Sequence, residues 1–392
     1  MRGLLKILFI ITLLELFLGG GGRVFEIGPV TLRMLLFVLN FIVAGVLYLE
    51  RGSIPIYVVS LIMVVSGALL FYTALGWLNG ASLVLIAEDV KPLSYFYSIL
   101  FISYYIDNVA RVQLVISLIK RSSLFLALVY IFIQALFFLG RLDFMWFYNY
   151  ALNQVSPSDF FFRGTQGFFF YKGFLYMVVG LIFWIHSSSS RWRGLAILII
   201  MTAMILTGTR GFILMFGLLY AFFYGIPMLL KLNMKMLILA VVLLFGSIYF
   251  FGKFEIGDKV SSDSIRVQQL LQVIERIDPI SFFIGHGFGI GVPVREVHME
   301  IGYLEVFHKQ GVLGLCIWTL LFIILYNAYV GGNNHKGIRK SFFLGALLVI
   351  MLSFTNPFFN NPIGISLFMI ALSCMYVLNR EGNMEMSTNQ SE

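Results

Sequence analysis

The chain has 392 residues, 60% of them hydrophobic and only 12% charged, with a mean hydropathy of +0.93 and a formal net charge of +8. A soluble domain carries about 25% charged residues, so this chain cannot cover a water-facing surface and belongs in a bilayer. Its basic residues are scattered between apolar stretches, which argues against nucleic acid as the partner, and Cys316 and Cys374 sit inside apolar runs as small core residues, not as a disulfide framework.

The basic start and apolar run of Met1–Leu18 are followed by no small-x-small cleavage site, so they predict a first transmembrane helix and not a secretion signal. A span needs about 20 apolar residues. By that measure the sequence supplies about twelve spans, at roughly 4–22, 30–49, 54–78, 93–107, 124–140, 167–186, 194–208, 211–230, 235–251, 311–330, 341–356 and 361–379. The expected fold is an all-α polytopic integral membrane protein.

Lys and Arg in short loops set the orientation. With the N-terminus in the cytoplasm, every inner connection holds at least one cation. These are Arg2 and Lys6; Arg51; Arg111, Lys120 and Arg121; Arg191 and Arg193; Lys231 and Lys235; Lys336, Arg339 and Lys340; and Arg380. Outer loops are poorer in cations and balanced by acids, as in Glu88-Asp89-Lys91. Both termini are therefore expected inside. Residues 1–251 form a bundle of about nine spans, 252–310 a large periplasmic loop, 311–380 about three further spans and 381–392 a disordered cytoplasmic tail. In a bacterium this is the inner membrane, with the loop facing the periplasm.

Within that loop, Ser261-Ser262-Asp263-Ser264 offers helix N-caps and Asp278-Pro279 a stop. Ile265, Val267, Leu270, Leu271, Ile274 and Ile277 fall on one side at about 100° per residue, with Gln268, Gln269, Gln272, Glu275 and Arg276 opposite and Arg266 at the border. The expected orientation puts the apolar side against the membrane or the bundle and Arg276 in water.

Several residues here invite chemistry. Arg210 lies between two apolar spans in Thr207-Gly208-Thr209-Arg210-Gly211, either snorkelling to headgroups or gripping phosphate with its planar guanidinium. The run Gly285-His286-Gly287-Phe288-Gly289-Ile290-Gly291 lacks the Lys-Ser/Thr of a phosphate loop and reads as a turn. His298, Glu300, Tyr303, Glu305 and His308 do not have zinc-site spacing; a histidine or carboxylate among them can serve as a general base or simply hydrogen-bond the loop. Glu15 is either the partner of an outer arginine or faces a wet cavity. The turn Asn356, Pro357, Asn360, Asn361, Pro362 can line the same vestibule.

Taken together, these stretches resemble the bacterial O-antigen polymerase and O-antigen ligase superfamily. Thr207 to Gly211 resembles its Ser/Thr-x-Ser/Thr-Arg-Gly signature. Arg266 with Phe283 to Gly289 resembles its periplasmic loop, and Glu300-Ile301-Gly302-Tyr303-Leu304 followed by Gly311-Val312-Leu313-Gly314 resembles its approach to the next span. Where ligases carry histidine, eleven residues before Gly311, this chain has Glu300, with His298 two residues earlier, a departure that favours polymerase.

The resemblance implies a glycosyltransferase of the lipid-donor, GT-C-like helical kind, needing neither metal nor other cofactor. It would polymerise undecaprenyl-diphosphate-linked repeat units with inversion, in contact with membrane lipid and with a chain-length regulator as a further partner. Arg210, Arg266 and Arg295 would hold the donor diphosphate, Glu300 or His298 would be the base, and Tyr303 would contact sugar. The alternatives are a ligase, distinguished by its lipid A–core acceptor, and a flippase, which predicts charges within the spans and repeated halves.

Overall fold

The computed structural model describes residues 2–22, 26–27, 30–155, 159–163, 167–187, 189–225, 259–332 and 334–389; the expected span 235–251 lies outside the described residues. The protein is mainly helical. Its first half contains Arg2–Leu18 (α1), Leu32–Arg51 (α2), Ile56–Leu78 (α3), Leu83–Leu93 (α4), Val109–Phe138 (α5), Phe174–His186 (α6), Arg193–Leu206 (α7) and Arg210–Tyr220 (α8). After the undescribed stretch come Lys259–Glu275 (α9), Pro279–Ile284 (α10), Gly302–Val330 (α11), Lys336–Leu352 (α12) and Pro362–Asn389 (α13). Helix starts follow local chemistry. Thr31, Ser82 and Asn108 each cap the backbone N–H three residues on, and Asp278 and Ser281 cap α10 reciprocally.

Five described helices are long and apolar enough to cross a membrane: α2, α3, α5, α11 and the Pro362–Gly382 part of α13. This is the expected kind of molecule, a helical multi-pass membrane protein, but several segments differ from the sequence reading. The segment 93–107 is a 3-10 turn, Ser94–Ser98, followed by the seven-residue helix Ile99–Tyr105. The segment 124–140 is the second half of the 30-residue α5, which takes Arg111, Lys120 and Arg121 into a helix where a loop was expected. No Gly or Pro between Val109 and Phe138 interrupts it. The segment 167–186 opens as a strand: Phe160–Arg163 (β1) pairs antiparallel with Phe168–Tyr171 (β2), Phe161 facing Phe170 and Phe162 facing Phe169. Aromatic cross-strand pairs favour the hairpin over helix there. A second, two-residue hairpin joins α1 to α2. Helix α13 continues to Asn389, past the expected end of its span near 380.

The core is centred on α6. Every residue from Phe174 to Trp184 is buried, as expected of a helix that is apolar all round. It packs against α5, α7 and α12. At one end of the bundle, Arg339 of α12 is buried and donates to the carbonyls of Ala328 and Tyr329, which close α11, and to Asn379 of α13. The otherwise orphaned end of α11 is thereby capped.

Near the other end Glu15 pairs with Arg33. The Arg33 Nε lies 2.9 Å from Glu15 Oε2 and its Nη2 2.9 Å from the Gly20 carbonyl, both side chains being buried. The partner reading of Glu15 therefore holds, and the partner sits on α2. Glu15→Gln strands the Arg33 charge in an apolar setting and is expected to cost about 3–5 kcal/mol. The check is thermal unfolding of the detergent-purified protein, where an unchanged midpoint would contradict it.

Candidate functional site

The segment 285–310 is fixed by backbone hydrogen bonds to elements far away in sequence. His286 and Gly287 donate to the His308 and Lys309 carbonyls at 3.0 and 2.9 Å, Phe288 to the Tyr72 carbonyl at 2.9 Å, and Gly289 to Asp89 Oδ2 at 2.8 Å. Four successive N–H groups are thus committed to protein acceptors, so this run ties α3, α4 and α11 together and is not a phosphate cradle. Gly287 has φ +87°, and a Cβ there would overlap the Gly76 backbone of α3. Across from it, Gly311 breaks the helical geometry of α11 at φ +61°, where the backbones of Phe283 and Gly285 pack against it.

Two ionic groups stand on this frame. In the first, Glu300 receives Arg266 Nε on Oε2 and Arg295 Nη2 on Oε1, each at 3.0 Å. Arg266 comes from α9, Arg295 from a tight turn closed by paired Val292–Arg295 backbone hydrogen bonds. The Glu300 backbone N–H donates to Gln269 Oε1 at 3.0 Å, and Arg266 Nη2 reaches the Thr355 carbonyl at 3.4 Å. A Cβ on Gly211 would lie 3.1 Å from Thr355 Oγ1, which brings the Thr207–Gly211 helix break, with the half-buried Arg210 opening α8, to the same turn.

The second group is buried. Lys309 Nζ lies 2.7 Å from Asp89 Oδ1 and 2.8 Å from Glu305 Oε1, and also donates to the Val297 carbonyl. Asn360 donates to Glu305 Oε2 at 2.9 Å. His298, half exposed, points Nδ1 at Glu305 Oε1 (3.4 Å) and Asp89 Oδ1 (3.8 Å). Burial pushes the Asp89 carboxyl up from its ordinary value, while Lys309 and the Gly289 N–H pull it down. Asp89, His298 and Glu305 bring a nitrogen and two carboxylate oxygens within 4.8 Å of one another, and the cation between the two acids is the Lys309 ammonium.

Of the residues singled out from sequence, Arg266, Arg295 and Glu300 meet directly, His298 sits beside them in the chain, and Arg210 approaches through Thr355. Tyr303 does not join them: its hydroxyl donates to the Ile350 carbonyl at 2.8 Å, and its ring packs on Phe354 and Phe359. It lines an apolar cavity of about 330 Å³ with Phe96, Trp318, Phe322 and Phe368. The apolar side of α9 faces away from the bundle, which leaves the membrane of the two surroundings expected for it. Gln269 and Val273 are buried and Arg266 half-buried, while Val267, Leu270, Leu271, Ile274 and Ile277 are exposed. Arg266, Gln269 and Gln272 turn to the loop, where they meet Glu300 and Val294. Arg276 is exposed as expected, and its guanidinium holds the Gly291 carbonyl at 2.6 Å. Sequence reasoning missed Asp89 as a site residue, having read it only as a loop acid; it lies 220 positions from Lys309, beyond any local pattern.

No protein-family model matches the chain. It is 31% identical to an O-antigen polymerase of Shigella flexneri, over 99% of this chain and 98% of that protein.

Gly287→Ala is expected to destabilise the protein by about 2–5 kcal/mol, with about 1–2 from the left-handed backbone and about 1–3 from overpacking against Gly76. Thermal unfolding in detergent, compared with Gly217→Ala where the space is open, tests this. Equal midpoints for the two variants would show that the close crossing is not required.

Proposed function

We propose a mechanism for the chain, which belongs to the O-antigen polymerase family, from the geometry around Glu300 and His298. It is a membrane enzyme that joins oligosaccharide repeat units into O-antigen. The observation that carries the reading is that two guanidiniums from separate elements converge on one carboxylate at the mouth of a helical bundle, beside a half-exposed imidazole.

A lipid diphosphate donor carries about two negative charges at neutral pH, matched by the planar forks of arginine. Arg266 and Arg295 together bear two positive charges against the single negative charge of Glu300. The donor diphosphate takes the place of the Glu300 carboxylate, and Arg210 closes on it from the α8 N-terminus, where the helix dipole also favours an anion. The apolar cavity lined by Tyr303, Trp318 and Phe359 offers space for the polyprenyl chain. Tyr303 is thus assigned to the lipid and not to the sugar.

His298 is the better base. Glu300 serves as the exchangeable counter-ion of Arg266 and Arg295, with one oxygen on each. The His298 Nδ1 faces Glu305, which leaves Nε2 to accept a proton. In the step, the acceptor hydroxyl oxygen attacks the anomeric carbon from the face opposite the diphosphate. Its proton passes to His298, the C1–O bond to phosphorus breaks, and the electron pair leaves on the diphosphate, stabilised by the arginines. Inversion follows from this geometry. About twelve spans, both termini in the cytoplasm and a periplasmic site complete the reading, supported by the distribution of cations in the sequence.

The test is in vitro polymerisation of purified undecaprenyl-diphosphate-linked repeat units. Arg210→Ala and Arg266→Ala should each slow product formation by about 10²–10³. His298→Ala should slow it by about 10²–10⁴, with Glu300→Gln retaining more activity than His298→Ala. Near-normal ladders from both arginine variants would sink the diphosphate clamp. Full activity in His298→Ala with loss in Glu300→Gln would reverse the assignment of the base.

A further inference from the structure

The mechanism uses His298 but assigns nothing to the ion pair buried behind it. Lys309 and Asp89 are 2% and 5% exposed, and Glu305 4%, so this group lies almost out of water. Buried ion pairs are a poor source of stability, because well-packed apolar side chains of similar size do as well or better. A role in holding the loop does not by itself account for three charges here, since the backbone bonds of His286, Gly287 and Phe288 already hold it.

The arrangement is specific. Asp89 Oδ1 and Glu305 Oε1, the two oxygens that grip the Lys309 ammonium, are also the two that face His298 Nδ1. The second oxygen of each acid is tied elsewhere, Asp89 Oδ2 to the Gly289 N–H and Glu305 Oε2 to the Asn360 amide. Neither carboxylate can swing away from the imidazole without giving up a hydrogen bond. Two acids and one ammonium sum to a single negative charge.

We propose that Asp89, Glu305 and Lys309 are positioning residues for His298, together holding one net negative charge behind its Nδ1. This rests on His298 being the base. Lys309 then does two things: it lets two carboxylates share a dry site, and it cancels one of them so that the imidazolium formed in the step is balanced, not trapped. With no counter-charge, the imidazolium has no stabilisation as the acceptor proton arrives; with two, His298 would hold its proton and fail as a base. The other charges near His298 are Arg295, Glu296 and Glu300 on its own segment, with Arg266 of α9 paired to Glu300. All of these stay unchanged in the variants below.

The experiment is a charge cycle: Lys309→Met, Asp89→Asn and the double variant, all in the full-length protein in detergent. Two readouts are followed, the pH dependence of polymerisation at saturating donor and the titration of the His298 C2 proton, assigned by its loss in His298→Gln. In Lys309→Met both curves should move up by about one pH unit, and in Asp89→Asn down by about as much. In the double variant, where one negative charge is restored, they should return to wild type. Superimposable C2-proton curves across the cycle would overturn the proposal, and in Asp89→Asn alone would mean that Asp89 holds its proton. C2-proton curves that shift while the rate profile stays fixed would leave the charge device standing and remove His298 as the base. If Lys309→Met does not fold, Asp89→Asn/Lys309→Met and Glu305→Gln/Lys309→Met each still leave one carboxylate. Both must titrate like wild type, and a displaced curve in either refutes the charge count.

Discussion

A lysine ammonium held out of water between two carboxylates organises the functional end of this protein. Lys309 extends from α11, Glu305 stands one turn before it, and Asp89 arrives from α4. Removing such charges from water is costly and is offset only when each polar atom finds a partner. Here each does, through the Val297 carbonyl, the Gly289 N–H and the Asn360 amide. With Asp89 on α4 and Glu305 and Lys309 on α11, the group joins five stretches of chain, so satisfying one ammonium fixes the relative places of α4, α11, the glycine run, the Val297 segment and the Asn360 turn. The positive-φ glycines at 287 and 311 let backbones approach closely enough for that.

The exposed ion group rests on this buried one. Arg295 and Glu300 belong to the segment whose Val297 carbonyl is held by Lys309, and Arg266 reaches them across from α9. The division of labour follows burial. Charges in the dry layer are paired within the protein, apart from one negative charge that faces His298, and serve to position. In the wetter layer two guanidiniums share one carboxylate, with Arg266 also on the Thr355 carbonyl, and in the proposed mechanism a doubly charged ligand outbids that carboxylate. Phosphate chemistry needs cations that are fixed in place yet exchangeable in partner, and a two-layer site provides both.

What could be read from the sequence divides along the same line. Arg210, Arg266, Arg295, His298 and Glu300 could be singled out as candidates because titratable residues are rare in so apolar a chain, and the structure joins three of them, Arg266, Arg295 and Glu300. The helical, membrane-spanning character was legible from composition. Asp89 was not, since its partner is 220 positions away and it looks like any loop acid beside Glu88 and Lys91. Of the two surroundings open to the apolar side of α9, membrane or bundle, the structure excludes the bundle, for a physical reason. The usual rule sends apolar side chains inward because the outside is water, whereas the exterior of a membrane protein rewards apolar surface and the interior here is an ionic site. The hairpin at Phe160–Tyr171 was missed because a phenylalanine run is equally apolar as helix or strand, and only the cross-strand pairing decides.

The inward line of α9 also bears on how this enzyme can diverge. Arg266, Gln269 and Val273 recur at three- and four-residue steps along one helical line, and each addition or loss of one residue turns everything beyond it by about 100°. A single-codon insertion between Arg266 and Val273 would therefore break the line that points at Glu300 and carry an oily side chain into the ionic site. Point changes along the exposed row, by contrast, leave the line intact. Length in this stretch is thus more tightly constrained than sequence, and relatives are free to drift in the outer row provided that they keep the count.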